Sequence, residues 1–448
     1  MRSELSRRTF LGTAGAAVGL AGVTPSFEIR ANAAPDVPRP KVAAIATVYH
    51  YLSHAYHIVG RFIDGFVLYD ERGLYHPGCD VVSLFIEQVS PETDLGREKA
   101  RRHKIRLSPN IADALTLGTG KLAVDAVLLI GEHGDYPYNE KLQKLYPRGR
   151  FFREAAEVFR ASGRSVPVFN DKHLSYSRPE ARQMVDTAKT MGFPMMAGSS
   201  LPVTWRIPQL EIPLGRPMES ALVASRGDLE IFGFHALETL QCMVERRDRK
   251  GKPQGVKAVT CLEGDAVWAA GDSGVWSWEL LEHALGRSQS RNPGDIKQNT
   301  RDYRPPAGKD GFTKLPNPIA YVVEYADGFR ATSLILNGHV DDTTFAAKVG
   351  GDKPGIVSTL VHLPAPPGAR FFDPLVLRID EFFRTGKSPY PVERTLLTGG
   401  ILDAALESRV RGHRRVETPD LAAVDYEAPA DSGFIRAPLT SAEPNAVG

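Results

Sequence analysis

Five short apolar runs in the first half of the chain alternate with stretches of helical spacing, and this alternation leaves few folds open. The runs are residues 41–47 (KVAAIAT), 81–86, 123–130, 165–169 and 193–197; helical spacing fills residues 151–162 and 180–191. Short buried strands joined through helices pack as a parallel sheet with helices on both faces. A Rossmann-like, doubly wound α/β domain is therefore expected over residues 34–200.

Beyond Leu201 the strands lengthen and hairpin signals appear, the clearest being Asp327-Gly328 between residues 319–325 and 329–335. This half, residues 201–417, reads as an α+β domain with a mostly antiparallel sheet. Residues 286–313 are polar, basic and rich in Pro and Gly, which predicts a long surface loop over a site. Residues 375–384, opened by Pro374, and 396–409 read as closing helices. Residues 418–448 lack periodicity and suit a wrapping arm or a tail. With 448 residues, 42% of them hydrophobic and 24% charged, the chain can build two cores.

Ser6-Arg7-Arg8-Thr9-Phe10-Leu11, the Gly- and Ala-rich apolar run 12–23 and Ala31-Asn32-Ala33 read as a twin-arginine export signal over residues 1–33. The run is too short to hold a bilayer span, so the mature chain is expected to leave the cytoplasm folded, for the periplasm or beyond, with the twin-arginine translocase as its partner. That route suits a cofactor loaded beforehand. The formal charge of +2 comes from the signal, where four arginines face two glutamates; the remainder is neutral, and no nucleic-acid partner is implied. Three cysteines, Cys79, Cys242 and Cys261, exclude a disulfide framework but allow one bridge.

Residues 124–130 (VDAVLLI), Asn170-Asp171-Lys172-His173 where a Glu-Lys-Pro motif is expected, and Gly233-Phe234-His235-Ala236-Leu237-Glu238, similar to a Gly-x-His-x-x-Asp motif, together resemble the Gfo/Idh/MocA family of nicotinamide-dependent oxidoreductases. The likeness covers most of the mature length. It implies NAD(P) as cofactor, a sugar or related polyol as substrate, and a homo-oligomer paired through the open face of the second sheet. It further implies that Lys172 sits beside the nicotinamide and a substrate hydroxyl while His235 exchanges the hydroxyl proton, with Asp171 and Glu238 completing the catalytic set. A cation near the reacting oxygen and an imidazole titrating near neutrality suit that chemistry. Ala46, Thr47, Glu87, Glu132, His133 and Asp171 are the corresponding cofactor contacts.

The glycine fingerprint of a dinucleotide site is absent. Its three glycines would fall near Ala46, Val48 and Tyr51, and a tyrosine at the third position is expected to obstruct the cofactor. In the cradle stands Tyr49-His50-Tyr51-Leu52-Ser53-His54-Ala55-Tyr56-His57, and a helix there would align His50, His54 and His57 on one face. Glu132, His133 and Asp135 follow the third run; Asp171 and His173 follow the fourth. Strand-end loops of this kind converge on one crevice. Zn²⁺, Mn²⁺ or Fe²⁺ accepts such mixed ligands, which makes His54, His57, His133 and His173 candidate ligands for a divalent metal. Asp135, Trp205 and Arg206 are candidate substrate contacts. Three functions therefore stand open: a sugar oxidoreductase, a metal-dependent or acid–base carbohydrate enzyme without redox chemistry, and a non-catalytic binding protein.

Overall fold

The computed structural model describes residues 38–304 and 317–439. The expected export signal lies outside the described residues, as do residues 305–313 of the expected loop and the end of the C-terminal tail. Among the described residues no helix is long and apolar enough to cross a membrane.

The first half contains β1 (Lys41–Ala46), α1 (His54–Asp64), β2 (Phe66–Val67), β3 (Leu74–Tyr75), β4 (Asp80–Ile86), α2 (Gly96–His103), β5 (Arg106–Leu107), α3 (Ile111–Thr116), β6 (Ala126–Ile130), α4 (Arg148–Ser162), β7 (Val168–Asp171), α5 (Arg178–Met191) and β8 (Met195–Gly198). Six strands form a parallel sheet in the order β5-β4-β1-β6-β7-β8, the doubly wound order the sequence predicts. The inner strands read as continuous apolar runs because both faces are covered. Ala43, Ile45, Val127 and Leu129 pack toward α3, α4 and α5. Val42, Ala44, Ala46, Leu128 and Ile130 pack toward α1.

The second half contains β9 (Trp205–Ile207), β10 (Met218–Ser225), α6 (Ile231–Val244), β11 (Val256–Glu263), α7 (Asp265–Asp272), α8 (Trp278–Leu285), α9 (Ile296–Asp302), β12 (Ile319–Tyr325), β13 (Arg330–Ile335), β14 (Thr343–Val349), β15 (Gly355–His362), α10 (Phe372–Thr385), α11 (Val392–Val410), β16 (Val416–Glu417) and α12 (Pro419–Ala422). Eight strands form one sheet, antiparallel except for the β10–β13 pair. Gly328 takes φ +88° at the β12–β13 hairpin. One face of this sheet packs on α6 and α11. The other carries Leu222, Ala224, Leu334 and Ala346 against Trp268, Leu281 and Leu285 from α7 and α8 and Trp276 from the turn between them.

Several expectations change. The region predicted as a loop begins with the turn after α8 and includes helix α9. Between β1 and β4, besides α1, the chain forms the β2–β3 hairpin, which no apolar run announces. The third strand of the first sheet, β5, is only two residues long and exposed, so no apolar run announces it. Residues 418–439 are an arm rather than a loose tail: Ile435 donates its backbone N–H to Val203, and the Tyr426 hydroxyl donates to Glu245. All three cysteines are buried and unpaired.

Candidate active site

Strand β7 is buried along its length and delivers Asp171 and Lys172 to the carboxyl edge of the parallel sheet. Lys172 takes φ +62° and donates its backbone N–H to Gly198 at 3.0 Å, tying the ends of β7 and β8 together. Its side chain is 3% exposed, with Nζ 2.9 Å from His235 Nε2 and 3.8 Å from Glu132 Oε1. His235 arrives on the first turn of α6, whose N-terminus is fixed by Asp228 accepting from the backbone N–H groups of Ile231 and Phe232. Burial and the Lys172 cation hold His235 well below the ordinary histidine range, so the ring is neutral.

A neutral ring accepting at Nε2 carries its proton on Nδ1, which lies 2.9 Å from Ser199 Oγ. The Ser199 hydroxyl in turn donates to Glu238, and the Ser199 backbone N–H reaches the same carboxyl at 2.9 Å. Burial pushes Glu238 up to about 7. Lys172, His235, Ser199 and Glu238 thus form one directional chain of hydrogen bonds that ends in a group titrating near neutrality. The sequence reading missed Ser199 as a member; its only signal was the Gly198-Ser199-Ser200 turn closing β8.

On the other side of Lys172, Glu132 is buried and bonded to Arg148. Burial alone would raise its pKa, but the Lys172 and Arg148 cations outweigh that and hold it well below the usual carboxylate range. Asp171 is fully buried and meets His54 Nδ1 at 2.6 Å. His133, at φ +67°, places its ring 5.3 Å from that of His54, and burial with the nearby His54 lowers it to about 3.

The candidate metal ligands do not gather round one point. His57 is stacked on Phe372 at 4.8 Å and bonded to Arg61, while His173 Nε2 is occupied by Arg148 at 3.1 Å. His54 is committed to Asp171. The predicted stripe fails because α1 begins only at His54, leaving His50 in the preceding turn, paired with Asp94. Among the described residues no group of three His, Cys, Asp or Glu side chains is placed to hold a metal ion.

Two candidate substrate contacts also face elsewhere. Trp205 is buried with its Nε1–H donated to Ala437, and Arg206 is buried over the Phe434 ring, so both bind the C-terminal arm. Asp135 is exposed, its backbone held by Gln88. Glu87 is half-buried, accepts from the Tyr136 hydroxyl at 2.8 Å and is paired with Arg150. Ala46 and Thr47 form the floor of the crevice; the Thr47 hydroxyl donates to Glu132 O at 2.6 Å.

The nucleotide side lacks the glycine turn but has room. Ser53 caps α1, accepting from Tyr56 N at 3.1 Å and His50 N at 3.2 Å, and Leu52 supplies the left-handed turn at φ +63°. Tyr51 is 55% exposed and packs on Tyr56, so it leaves the crevice clear rather than obstructing it. A cavity of about 290 Å³ lies over the ends of β1 and β4, lined by Val48, Tyr49, His50, Gln88, Ser90 and Asp94. This is where doubly wound sheets accept dinucleotides, and the residues present admit one.

No family model matches the chain, and no curated protein matches its sequence. Solved structures match its fold. One is myo-inositol dehydrogenase from Lactobacillus casei in complex with NAD(H) and myo-inositol, at 12% identity and TM-score 0.52 over 86% of this chain and 99% of that one. Another is GenD2 from gentamicin A biosynthesis in complex with NAD, at 15% identity and TM-score 0.51 over 85% and 97%. A third is a probable dehydrogenase from Thermotoga maritima, at 12% identity and TM-score 0.50 over 85% and 99%. The likeness runs through both halves: a doubly wound domain followed by a mostly antiparallel one.

Proposed function

We propose that the chain is an exported oxidoreductase of the Gfo/Idh/MocA type, acting on a sugar or polyol hydroxyl with a nicotinamide cofactor. The observation that carries this reading is the Lys172 Nζ–His235 Nε2 contact at 2.9 Å, set at the carboxyl edge of the same parallel sheet whose β1 and β4 ends bear the open cavity. The Asn170-Asp171-Lys172-His173 and Gly233–Glu238 motifs support it, as does the fold shared with structures holding NAD and, in one case, myo-inositol. The twin-arginine motif supports export of a loaded, folded chain.

The residues lining the cavity over β1 and β4 would hold the nucleotide, and Asp171 and Lys172 its reacting end. When bound, the nicotinamide supplies or accepts the hydride. The chain's own work is the proton. The substrate oxygen draws the Lys172 ammonium from His235 to itself, where the cation stabilises alkoxide character, and the Nε2 lone pair so freed takes the hydroxyl proton. The Nδ1 proton then passes to Ser199 Oγ, and the Ser199 proton to Glu238, so the charge does not stay on the buried ring.

Nucleotide released on denaturing the purified mature protein should be NAD(P), and sugars or polyols should reduce added NAD(P)⁺. Lys172→Ala and His235→Ala should each lower kcat by about 10²–10⁴-fold with the fold intact by circular dichroism. Full turnover in both variants, or a protein that neither binds nucleotide nor reduces it with any such substrate, would overturn the reading.

A further inference from the structure

A second pair faces the same crevice and takes no part in the chain just described. His54 opens α1, and its Nδ1 lies 2.6 Å from Asp171 Oδ2 at the end of β7. Asp171 is fully buried and its Oδ1 has no hydrogen-bond partner, so the imidazole is the group this carboxylate serves. The His54 side chain remains 13% exposed. A carboxylate at Nδ1 fixes the tautomer with the proton there and leaves the Nε2 lone pair outward. Among the described residues nothing hydrogen-bonds Nε2. His133 at 5.3 Å and Phe372 at 5.0 Å hold the ring plane.

The two pairs are built separately. Asp171 and Lys172 are consecutive, but the left-handed turn at Lys172 sends their side chains to different partners, one to α1 and the other to α6. A lone buried carboxylate is costly, and at this position a neutral side chain would complete the strand equally well. The titratable groups round His54 are Asp171 from β7, Glu132 and His133 from the loop after β6, His50 and His57 from its own segment, and Lys172 and His235 across the crevice; α10 presents Phe372.

We infer that His54 and Asp171 form a second proton-transfer pair, in which His54 Nε2 exchanges a proton with a substrate hydroxyl next to the one that meets Lys172 and His235, and Asp171 positions the ring. The O–H proton moves to Nε2 and returns from it, the Nδ1 proton staying toward Asp171; no electron is transferred in this step. The substrate class is then a compound with hydroxyls on adjacent carbons. That last clause rests on the oxidoreductase reading, whereas the pair itself does not.

NMR of the full mature chain with labelled histidine ring nitrogens tests the pair without any assay of turnover, His54→Gln serving to assign the signal. His54 should show the Nδ1–H tautomer with a strongly hydrogen-bonded, downfield ring proton, and Asp171→Asn should move that proton upfield or abolish its signal. An Nδ1 proton signal unchanged in Asp171→Asn removes the pair whatever the turnover assay gives. With a substrate that the wild type oxidises, His54→Gln should lower kcat/KM for the vicinal diol by about 10²-fold. The matching analogue lacking the second hydroxyl should lose nothing further. Wild-type kcat/KM in His54→Gln overturns the assignment. A wild type that oxidises no such substrate instead overturns the oxidoreductase reading, and the Nδ1 proton signal still decides the pair.

Discussion

Gly198 sets the spacing of the candidate site. It takes φ +132°, where L side chains are rarely found, and a Cβ built there would lie 2.7 Å from Glu238 Oε1 and 2.9 Å from the Tyr390 hydroxyl. Its carbonyl holds the Lys172 backbone while the next residue, Ser199, bridges His235 and Glu238. Gly198→Ala should therefore cost of the order of 1–3 kcal/mol of stability and lower turnover as well, because the added carbon pushes on the carboxyl that ends the proton chain. Urea unfolding and steady-state kinetics read the two effects, and a variant matching the wild type in both would refute this role. Lys172 and His235 were legible in the sequence because each sits in a short motif next to a strand end or helix start. Ser199 was not, since a serine in a Gly-Ser-Ser turn looks like any other turn residue. Trp205 and Arg206 misled because their neighbours, Ala437 and Phe434, lie in a segment with no periodicity to announce that it packs at all.

At the scale of elements, apolar periodicity located the five long strands of the parallel domain and the helices α4 and α5, because burial on both sides of that sheet writes a continuous apolar signal into each strand. It failed for β5 and misplaced the start of α1. The helix phase that would align His50 with His54 and His57 is stopped by Ser53, whose side chain caps the helix and also accepts from His50 N. The covering helices of the second sheet were the larger omission. Trp276 is 5% exposed, donates its Nε1–H to Val267 at 2.9 Å, and lies so close over Gly271 that a Cβ there would be 2.5 Å from the ring. Trp276→Ala should cost about 3–5 kcal/mol by urea unfolding while leaving kcat per folded molecule unchanged. A loss under 1 kcal/mol, of the order of an ordinary surface substitution, would mean that α7 and α8 do not pack on the sheet as described. With that face covered by the chain's own Trp268, Leu281 and Leu285, pairing of two copies through it would require these helices to move.

For the whole molecule, the buried titratable groups fix how stability depends on pH. Burial, reinforced by Arg61 at His57 and by His54 at His133, lowers these two rings from 6.5 to about 3. His173 and His235, buried beside Arg148 and Lys172, also lie well below 6.5. Burial lowers His339 and His362 as well. On acidification through 6.5 the unfolded chain takes up protons at these positions more readily than the native chain does, so the histidines remove stability as the pH falls. Two carboxyls act the other way. Burial raises Glu230 to about 8 and Glu238 to about 7 from 4.5, so the native chain keeps two protons that the unfolded chain releases, and they add stability as the pH falls toward 4.5. Between pH 6.5 and 4.5 the lowered histidines outnumber the raised carboxyls, and the unfolded state binds the more protons. Above 6.5 only the carboxyls count, and stability declines again as the pH rises toward 8. The Tm by calorimetry should thus peak near pH 6.5 and fall on both sides, more steeply on the acid side. His133→Gln removes one of these imidazoles and should shallow the acid limb, whereas a Tm that is flat or rises from pH 6.5 to 4.5 would show that these rings take up protons in the folded chain.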